Sequence, residues 1–475
     1  MTQNPTEFDP GSFRDRDGRV FLRDGKVYRA LSAAATADWQ ALKATRFFPA
    51  AVASRRVIAT RESTVDASDF GQLDKSWVSV LEHERIPFVS YPYEWTFGML
   101  RDAALLQLDL LLRALEDDLI LKDASAYNVQ WFGSQPTLID TPSFQRWKIG
   151  EPWVGYQQFC QLFLYPLMLT SYRGIPFQPW LRGAIDGISP EVCNRLLSGR
   201  DRLRRGVLSH VYLQSKLLAA TGSSDKPLRQ ELKSTALGKS IITRNAAGLQ
   251  KLVAGLQWAT ESSEWSGYAD ANSYSDEEVA AKRKFVADAV ASRRWPLAWD
   301  LGCNTGDYAR LAAEHSDTVV AMDADVLAVE KFYRALSREG NTTILPLTVN
   351  LADTSPNLGW RGRDRRSLPE RGTPDLTLCL ALIHHMVITA NVPVDDFISW
   401  LAELGSHIII EFPTRDDVMV KRLLQTKEDI FDDYTLASFE ASIGRRFQII
   451  DRLRLPGETR VLYFLRPATE STGSK

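Results

Sequence analysis

One stretch limits what this chain can fold into more than any other: Leu297 to Gly306, LAWDLGCNTG. It opens as a short apolar run with the length and bounds of a buried strand. The run breaks into an acid, two glycines and small polar residues, then resumes as YARLAAEH, a helical pattern. Strand, glycine turn and helix together aim free backbone N–H groups at a bound ligand. Gly302 and Gly306 let the chain pass close to that ligand with no side chain in the way. A lone glycine turn says little, so the next element decides. It is VVAMDAD, a second apolar strand ending in Asp323. An acid at the tip of the second strand holds the ribose diol in nucleotide-binding βαβ units.

From there the chain alternates as a doubly wound α/β sheet does. Strands are predicted at Leu297–Asp300, at Thr318–Asp323, and in TTILPLTVN, which ends at Asn350. A fourth, LTLCLALI, runs up to His384–His385, and a fifth, HIIIEF, reaches Glu411. Helices are predicted over Asp307–His315, Val326–Glu339 and Val394–Gly405. The tail RRFQIIDRLRLPGETRVLYFLRP reads as a β-hairpin, Phe447–Leu453 with Arg460–Leu465.

From Trp295 to Pro467 these words and their order resemble the class I S-adenosylmethionine-dependent methyltransferases. The turn has the form acid-x-Gly-x-x-x-Gly, carried by Asp300, Gly302 and Gly306. It departs from the Gly-x-Gly-x-x-Gly of dinucleotide folds, and a closing antiparallel pair is what this family adds to a plain Rossmann sheet. The resemblance implies S-adenosyl-L-methionine as cofactor. It implies that Asp300, Gly302, Cys303, Asn304 and Gly306 form the cofactor turn, with Asp323 on the ribose hydroxyls. Ala324 would lie at the adenine edge, Asn350 and Leu351 against adenine, and a segment bearing Tyr274 over the methionine end. Plainer uses stand beside these: Asp300 satisfying the amides of its own turn, and Asn350 ending a strand. Trp265, Tyr268 and Tyr274 would equally serve as a staple between helices.

Methyl transfer needs in-line placement of a nucleophile and sometimes a base. His384 and His385 close strand four, where the family places acceptor-facing residues; one can face the crevice and the other the following helix. A neutral imidazole there can take a proton from a hydroxyl; simple packing fits as well. Glu411 is a second candidate base. Asp353 to Gly372 stands where a crossover helix belongs, but its prolines, glycines and five arginines read as an extended loop over the site. Those arginines would attract an anionic acceptor or pair among themselves.

The first half begins with a hairpin, Arg19–Leu22 and Lys26–Ala30 around Asp24–Gly25. A helix near Ala33–Ala41 and a strand near Val57–Thr60 follow. In MLRDAALLQLDLLLRALEDD, Leu100, Ala103, Ala104, Leu108, Leu111, Leu112 and Leu115 recur at helical spacing. Then comes LILKDASAYNVQWFGSQPTLIDTPSF. Asp123, Asn128 five residues on, a hairpin and Asp140 resemble the protein-kinase-like fold. There one Asp accepts the hydroxyl proton, while the Asn and the second Asp hold magnesium on the phosphates. The pattern is degenerate: Leu121 replaces His, Thr141–Pro142 replace Phe–Gly, and no glycine-rich loop stands upstream. Lys26 and Arg29 are the conceivable substitutes for a phosphate-pairing lysine.

Composition agrees with a soluble cytoplasmic enzyme. Lys plus Arg number 57 against 59 acids, so no global charge points to nucleic acid or membrane. Cys160, Cys193, Cys303 and Cys379 lack metal-type pairing and read as reduced core residues. No stretch reaches the ~18 apolar residues of a membrane span, and the start lacks the apolar centre of a signal peptide. The organisation expected is an α+β domain over 1–218, a linker and helical lid over 219–290, a methyltransferase domain over 291–467 and a polar tail over 468–475. The activity expected is methyl transfer to an acceptor the sequence does not name, with the first domain selecting or presenting it. The alternatives are a bifunctional protein with an active phosphotransferase, or a noncatalytic assembly module.

Overall fold

The computed structural model describes residues 7–65, 76–197, 199–216, 238–258, 274–425 and 427–468. The expectations for residues 219–229, for Trp265 and Tyr268, and for the tail from residue 469 lie outside them. The chain divides into two compact units. The first runs to Trp131, resumes from Gln135 to Ala259, and includes Asn357–Arg365; the second holds Phe132–Ser134, Thr260–Pro356 and Arg366 onward.

In the first unit Asp24 and Gly25, at φ 51° and 75°, close the hairpin of β2 (Gly18–Arg23) and β3 (Lys26–Ser32). Positive φ at both central residues is what a two-residue hairpin turn demands, hence Asp-Gly. With β1 (Glu7–Phe8), β4 (Thr60–Glu62) and β5 (Trp77–His83) they make an antiparallel sheet in the order β1-β2-β3-β5-β4. Phe21, Tyr28, Ala30 and Val80 form its apolar core. The helix Phe97–Glu116 is capped by the Thr96 hydroxyl, which accepts from the Met99 amide, and buries its leucine face. Each leucine so buried contributes about 1.5–3 kcal/mol. Beyond it lie β6 (Leu119–Leu121), the hairpin of β7 (Val129–Phe132) and β8 (Gln135–Leu138), and β9 (Phe144–Arg146), followed by short helices. The helix Lys239–Ala254 packs on Phe97–Glu116, and Lys239 pairs with Asp118 at 2.7 Å. It therefore belongs to the first unit.

The second unit opens with the helix Asp276–Val290, whose Ser275 and Glu278 form a reciprocal capping box. Its sheet runs β12 (Ile344–Thr348), β11 (Ser316–Asp323), β10 (Trp295–Leu301), β13 (Leu376–Cys379), β14 (His407–Pro413), β16 (Arg460–Pro467), β15 (Phe447–Arg454). The first five are parallel, and β16 enters antiparallel between β14 and β15. That is an α/β Rossmann-like sheet closed by an antiparallel hairpin. Helices Val418–Gln425 and Leu436–Arg446, between β14 and the hairpin, had no counterpart in the sequence reading.

Two expectations need correction. β13 stops at Cys379, because Ala381 takes a left-handed φ of 50°, and His385–Thr389 form a helical turn instead of a strand end. The arginine-bearing stretch does not run as one extended loop: its middle, Asn357–Arg365, folds with the first unit. Arg365, only 4 % exposed, donates to the Tyr127 hydroxyl at 3.0 Å and to the Leu181 carbonyl at 3.3 Å. Asp364 pairs with Arg14 and accepts from the Trp360 amide at 2.6 Å. All four cysteines are buried and free. Among the described residues no helix is long and apolar enough to cross a membrane.

Candidate functional site

The parallel strands β10, β11 and β12 end at one edge of the sheet, where ligands bind in open α/β folds. A cavity of about 470 Å³ lies there. Its wall includes Tyr274, Asp300, Gly302, Cys303, Asn304, Asp323, Ala324, Asn350 and Leu351, together with His385.

The turn after β10 is built by backbone conformation. Gly302, Asn304 and Gly306 take φ values of 78°, 49° and 88°. A Cβ on Gly306 would stand 2.0 Å from the Phe332 ring, so glycine is required there for space as well as for φ. Gly306 shapes the wall without lining it, capping the helix Asp307–Glu314. Gly306→Ala should destabilise the chain by about 1–3 kcal/mol from overpacking alone, read by denaturant unfolding.

Asp323 accepts from the Asn304 amide with one oxygen and from the Asp325 amide with the other, both at 2.8 Å. It thereby ties the glycine turn to the tip of β11. Burial raises its carboxyl above the usual range, and those amides hold the rise in check. A carboxylate has about four acceptor positions, so two amides leave room for a ligand's hydroxyls. Asp300 is 2 % exposed and its Oδ2 has no hydrogen-bond partner. Burial, and next the charge of Asp323, push its carboxyl up to about 7, against the pull of Lys282. Asn350 accepts from the Ala352 amide at 3.0 Å, which is the turn role anticipated for it.

His385 lines the cavity, its pKa lowered to about 4 by burial and by the charge of Arg460, so it is neutral near pH 7. His384 is wholly buried outside the cavity wall, and neither ring nitrogen has a partner. Burial, its neighbour His385 and two nearby cations keep it neutral. Glu411 does not line the cavity either. It is fully buried, with one oxygen accepting from Tyr274 and the other from Lys282, each at 2.8 Å, and Arg460 lies 3.5 Å away. Burial alone would raise its carboxyl, but Lys282 and Arg460 bring it below the ordinary value. That makes it a counter-ion with both oxygens engaged, a poor candidate for a free base.

The sequence reading missed this cluster's other members. Lys282, Arg460 and Asp417 are each no more than 4 % exposed, and Arg460 bonds Asp417 at 2.7 Å and 3.2 Å. Lys282 and Arg460 both donate to the Tyr274 hydroxyl, which fixes the tyrosine in the cavity wall. The signal was available for one of them. Lys282 stands on the apolar stripe of its helix with Phe285, Val286 and Ala289, where a lysine needs a partner. Arg283 also lines the cavity, with no ion pair among the described residues.

In the first unit Asp123, Asn128 and Asp140 come together, joined by Arg29 of β3. Arg29 forms an ion pair with Asp140, and the Ser143 hydroxyl donates to the same carboxylate. Burial works against ionised Asp140, but Arg29, the Ser143 hydroxyl and Lys122 together hold the carboxyl below its usual value. Asp123 is shifted the other way, raised by burial and then by the charge of Asp140. Lys26 pairs instead with Glu82 at 3.5 Å.

No family model matches the chain. Among curated proteins, nodulation protein NoeA of Rhizobium meliloti (strain 1021) is 33 % identical over 461 residues, covering 95 % of this chain and 94 % of that protein. The chain belongs to the NoeA family. Solved structures offer partial likenesses to this NoeA-family chain. The N-methyltransferase NodS of Bradyrhizobium japonicum WM9 is 11 % identical, with 41 % of this chain and 99 % of that one covered and a TM-score of 0.30. Magnesium protoporphyrin IX methyltransferase (ChlM) of Synechocystis PCC 6803, with bound SAH, is 17 % identical, with 40 % and 85 % covered and a TM-score of 0.28.

Proposed function

We propose that the second unit binds S-adenosyl-L-methionine and transfers its methyl group, and that the first unit selects or presents the acceptor. One observation carries the reading most directly: Asp300 Oδ2 is a buried acceptor without a partner in the wall of a cavity that Asp323 also lines. An unpaired buried carboxylate oxygen is costly, and a ligand's ammonium group would satisfy it. Asp323 would accept from the ribose hydroxyls, Asn350 and Leu351 would meet adenine, and Arg283 would pair with the methionine carboxylate. When bound, the cofactor supplies an electrophilic methyl group on a sulfonium.

Neutral His385 is the polar side chain suited to meet an incoming acceptor. Its ring nitrogen would accept a hydrogen bond from the acceptor's O–H or N–H and orient the lone pair toward the methyl group. With His384 outside the wall and Glu411 engaged, no second base accompanies it in this reading. Tyr274, fixed at its hydroxyl, would wall the methionine end.

Calorimetric titration of S-adenosylhomocysteine into the full chain at pH 8 and pH 6 tests the proposal. Asp300 must ionise to hold an ammonium group, so affinity should fall by up to about tenfold per pH unit below about 7. Stability of the free protein has the opposite sign. A carboxyl raised from about 4 to about 7 binds its proton more tightly when folded, so stability drops as pH rises through that window. Asp300→Asn should flatten both profiles. Absence of binding at pH 8 would refute the reading.

A further inference from the structure

The polar centre of the first unit holds acids, and its atoms can be tested against a metal ion. In the kinase-like arrangement an Asn and an Asp carry a divalent cation on phosphates. Here the charge of Asp140 is already paired with the Arg29 guanidinium through one oxygen, and the other accepts from the Ser143 hydroxyl. Asp123 gives one oxygen to the Ser125 amide at 2.9 Å. Magnesium needs near-octahedral oxygen ligation at about 2.0–2.1 Å and a carboxylate free to provide it. These residues do not fit the ion.

They fit a resident cation instead. Arg29 is 8 % exposed, and the sheet fixes its position: it stands opposite Leu81 of β5 and next to β2, opposite Val20. Its planar guanidinium fork suits a carboxylate. Arg29 Nε is buried without a partner, and a donor of that kind is satisfied by an acceptor oxygen, never by a cation. A divalent ion entering beside it would meet a like charge at close range in a poorly solvated place.

We infer that Arg29 is a built-in replacement for a divalent cation, which makes the Asp123–Asn128–Asp140 centre metal-free and closed to metal-assisted phosphoryl transfer. The positive charge that a metal would lend to the acids is covalently part of β3, so the centre is compensated without any exchangeable ion. This inference is independent of the methyl-transfer reading, since no residue of the second unit enters it.

Manganese(II) chloride is the probe, titrated into the full chain and followed by calorimetry and thermal shift. Wild type and Asp140→Asn should bind it alike, because Asp140 offers it nothing. Arg29→Gln should gain manganese affinity by at least about tenfold over wild type, and the double variant with Asp140→Asn should lose the gain. Arg29→Lys, which keeps a charge at the position, should behave as wild type. Wild type binding at least about tenfold more tightly than Asp140→Asn would overturn the inference. So would a folded Arg29→Gln that gains nothing. If Arg29→Gln does not fold, the comparisons of wild type with Asp140→Asn and Arg29→Lys decide the matter by themselves.

Discussion

Asp323→Ala should all but abolish binding of S-adenosylhomocysteine to the full chain. In the proposed complex the carboxylate accepts from two ribose hydroxyls, and each charge-assisted bond contributes about 1.5–3 kcal/mol. Together they amount to about 3–6 kcal/mol, on the order of 10² to 10⁴ in Kd. Part of that loss would come through the protein itself. The same carboxylate holds the Asn304 and Asp325 amides at 2.8 Å, so its removal also loosens the glycine turn. Asp323→Asn separates the two contributions. It keeps an acceptor oxygen for one partner but loses the charge, and should retain more affinity than the alanine variant. Calorimetry on both, alongside unfolding curves, provides the measurement. Equal affinity in wild type and Asp323→Ala would take Asp323 out of the ligand site and leave it a purely structural role at the turn.

Much of the second unit was legible because its signals are local. The strand-turn-helix at Asp300 to Gly306 is written in residues whose φ values only glycine or asparagine take easily, and the structure has those angles. The apolar runs of β10, β11 and β14 are buried on both faces, as central parallel strands must be, so they stand out from their surroundings. The end of strand four was not legible. LTLCLALI is apolar throughout, and the break falls at Ala381, a residue with no composition signal for a left-handed turn. That error put His384 and His385 at a strand tip, when they open a helical turn. The ion cluster around Glu411 was illegible for another reason. Lys282, Glu411, Asp417 and Arg460 come from separate elements, and only the fold brings them together. In the first unit the spacing from Asp123 to Asp140 was visible and Arg29 was a candidate as a phosphate partner, but its pairing with Asp140, 111 residues away, was not. The path of Asn357–Arg365 into the first unit has no sequence signature at all.

Arg460→Ala should be among the most destabilising single changes in the second unit. Two acids and two bases are buried together there: Glu411 and Asp417 with Lys282 and Arg460. Their formal charges cancel, which is why they can be buried at all. Removing Arg460 leaves two acids facing one lysine, takes the two guanidinium bonds from Asp417, which keeps those from the Met419 and Val420 amides, and strips a donor from the Tyr274 hydroxyl. Breaking a buried pair in this way costs about 3–5 kcal/mol, more than most core truncations by one methyl group. The pair itself need not stabilise the fold. Replacing Arg460 and Asp417 together by apolar residues of similar volume should therefore recover much of the loss, because neither is then left uncompensated. Equilibrium unfolding of wild type, Arg460→Ala and the double variant Arg460→Met with Asp417→Leu distinguishes the cases. A loss below about 1 kcal/mol for Arg460→Ala would mean that water reaches the cluster and that its charges are screened. If the double variant is stable but binds S-adenosylhomocysteine more weakly than wild type, the cluster serves to hold Tyr274 in the cavity wall. Unchanged affinity would confine the cluster to the core, with Glu411 and Lys282 sufficient to fix the tyrosine.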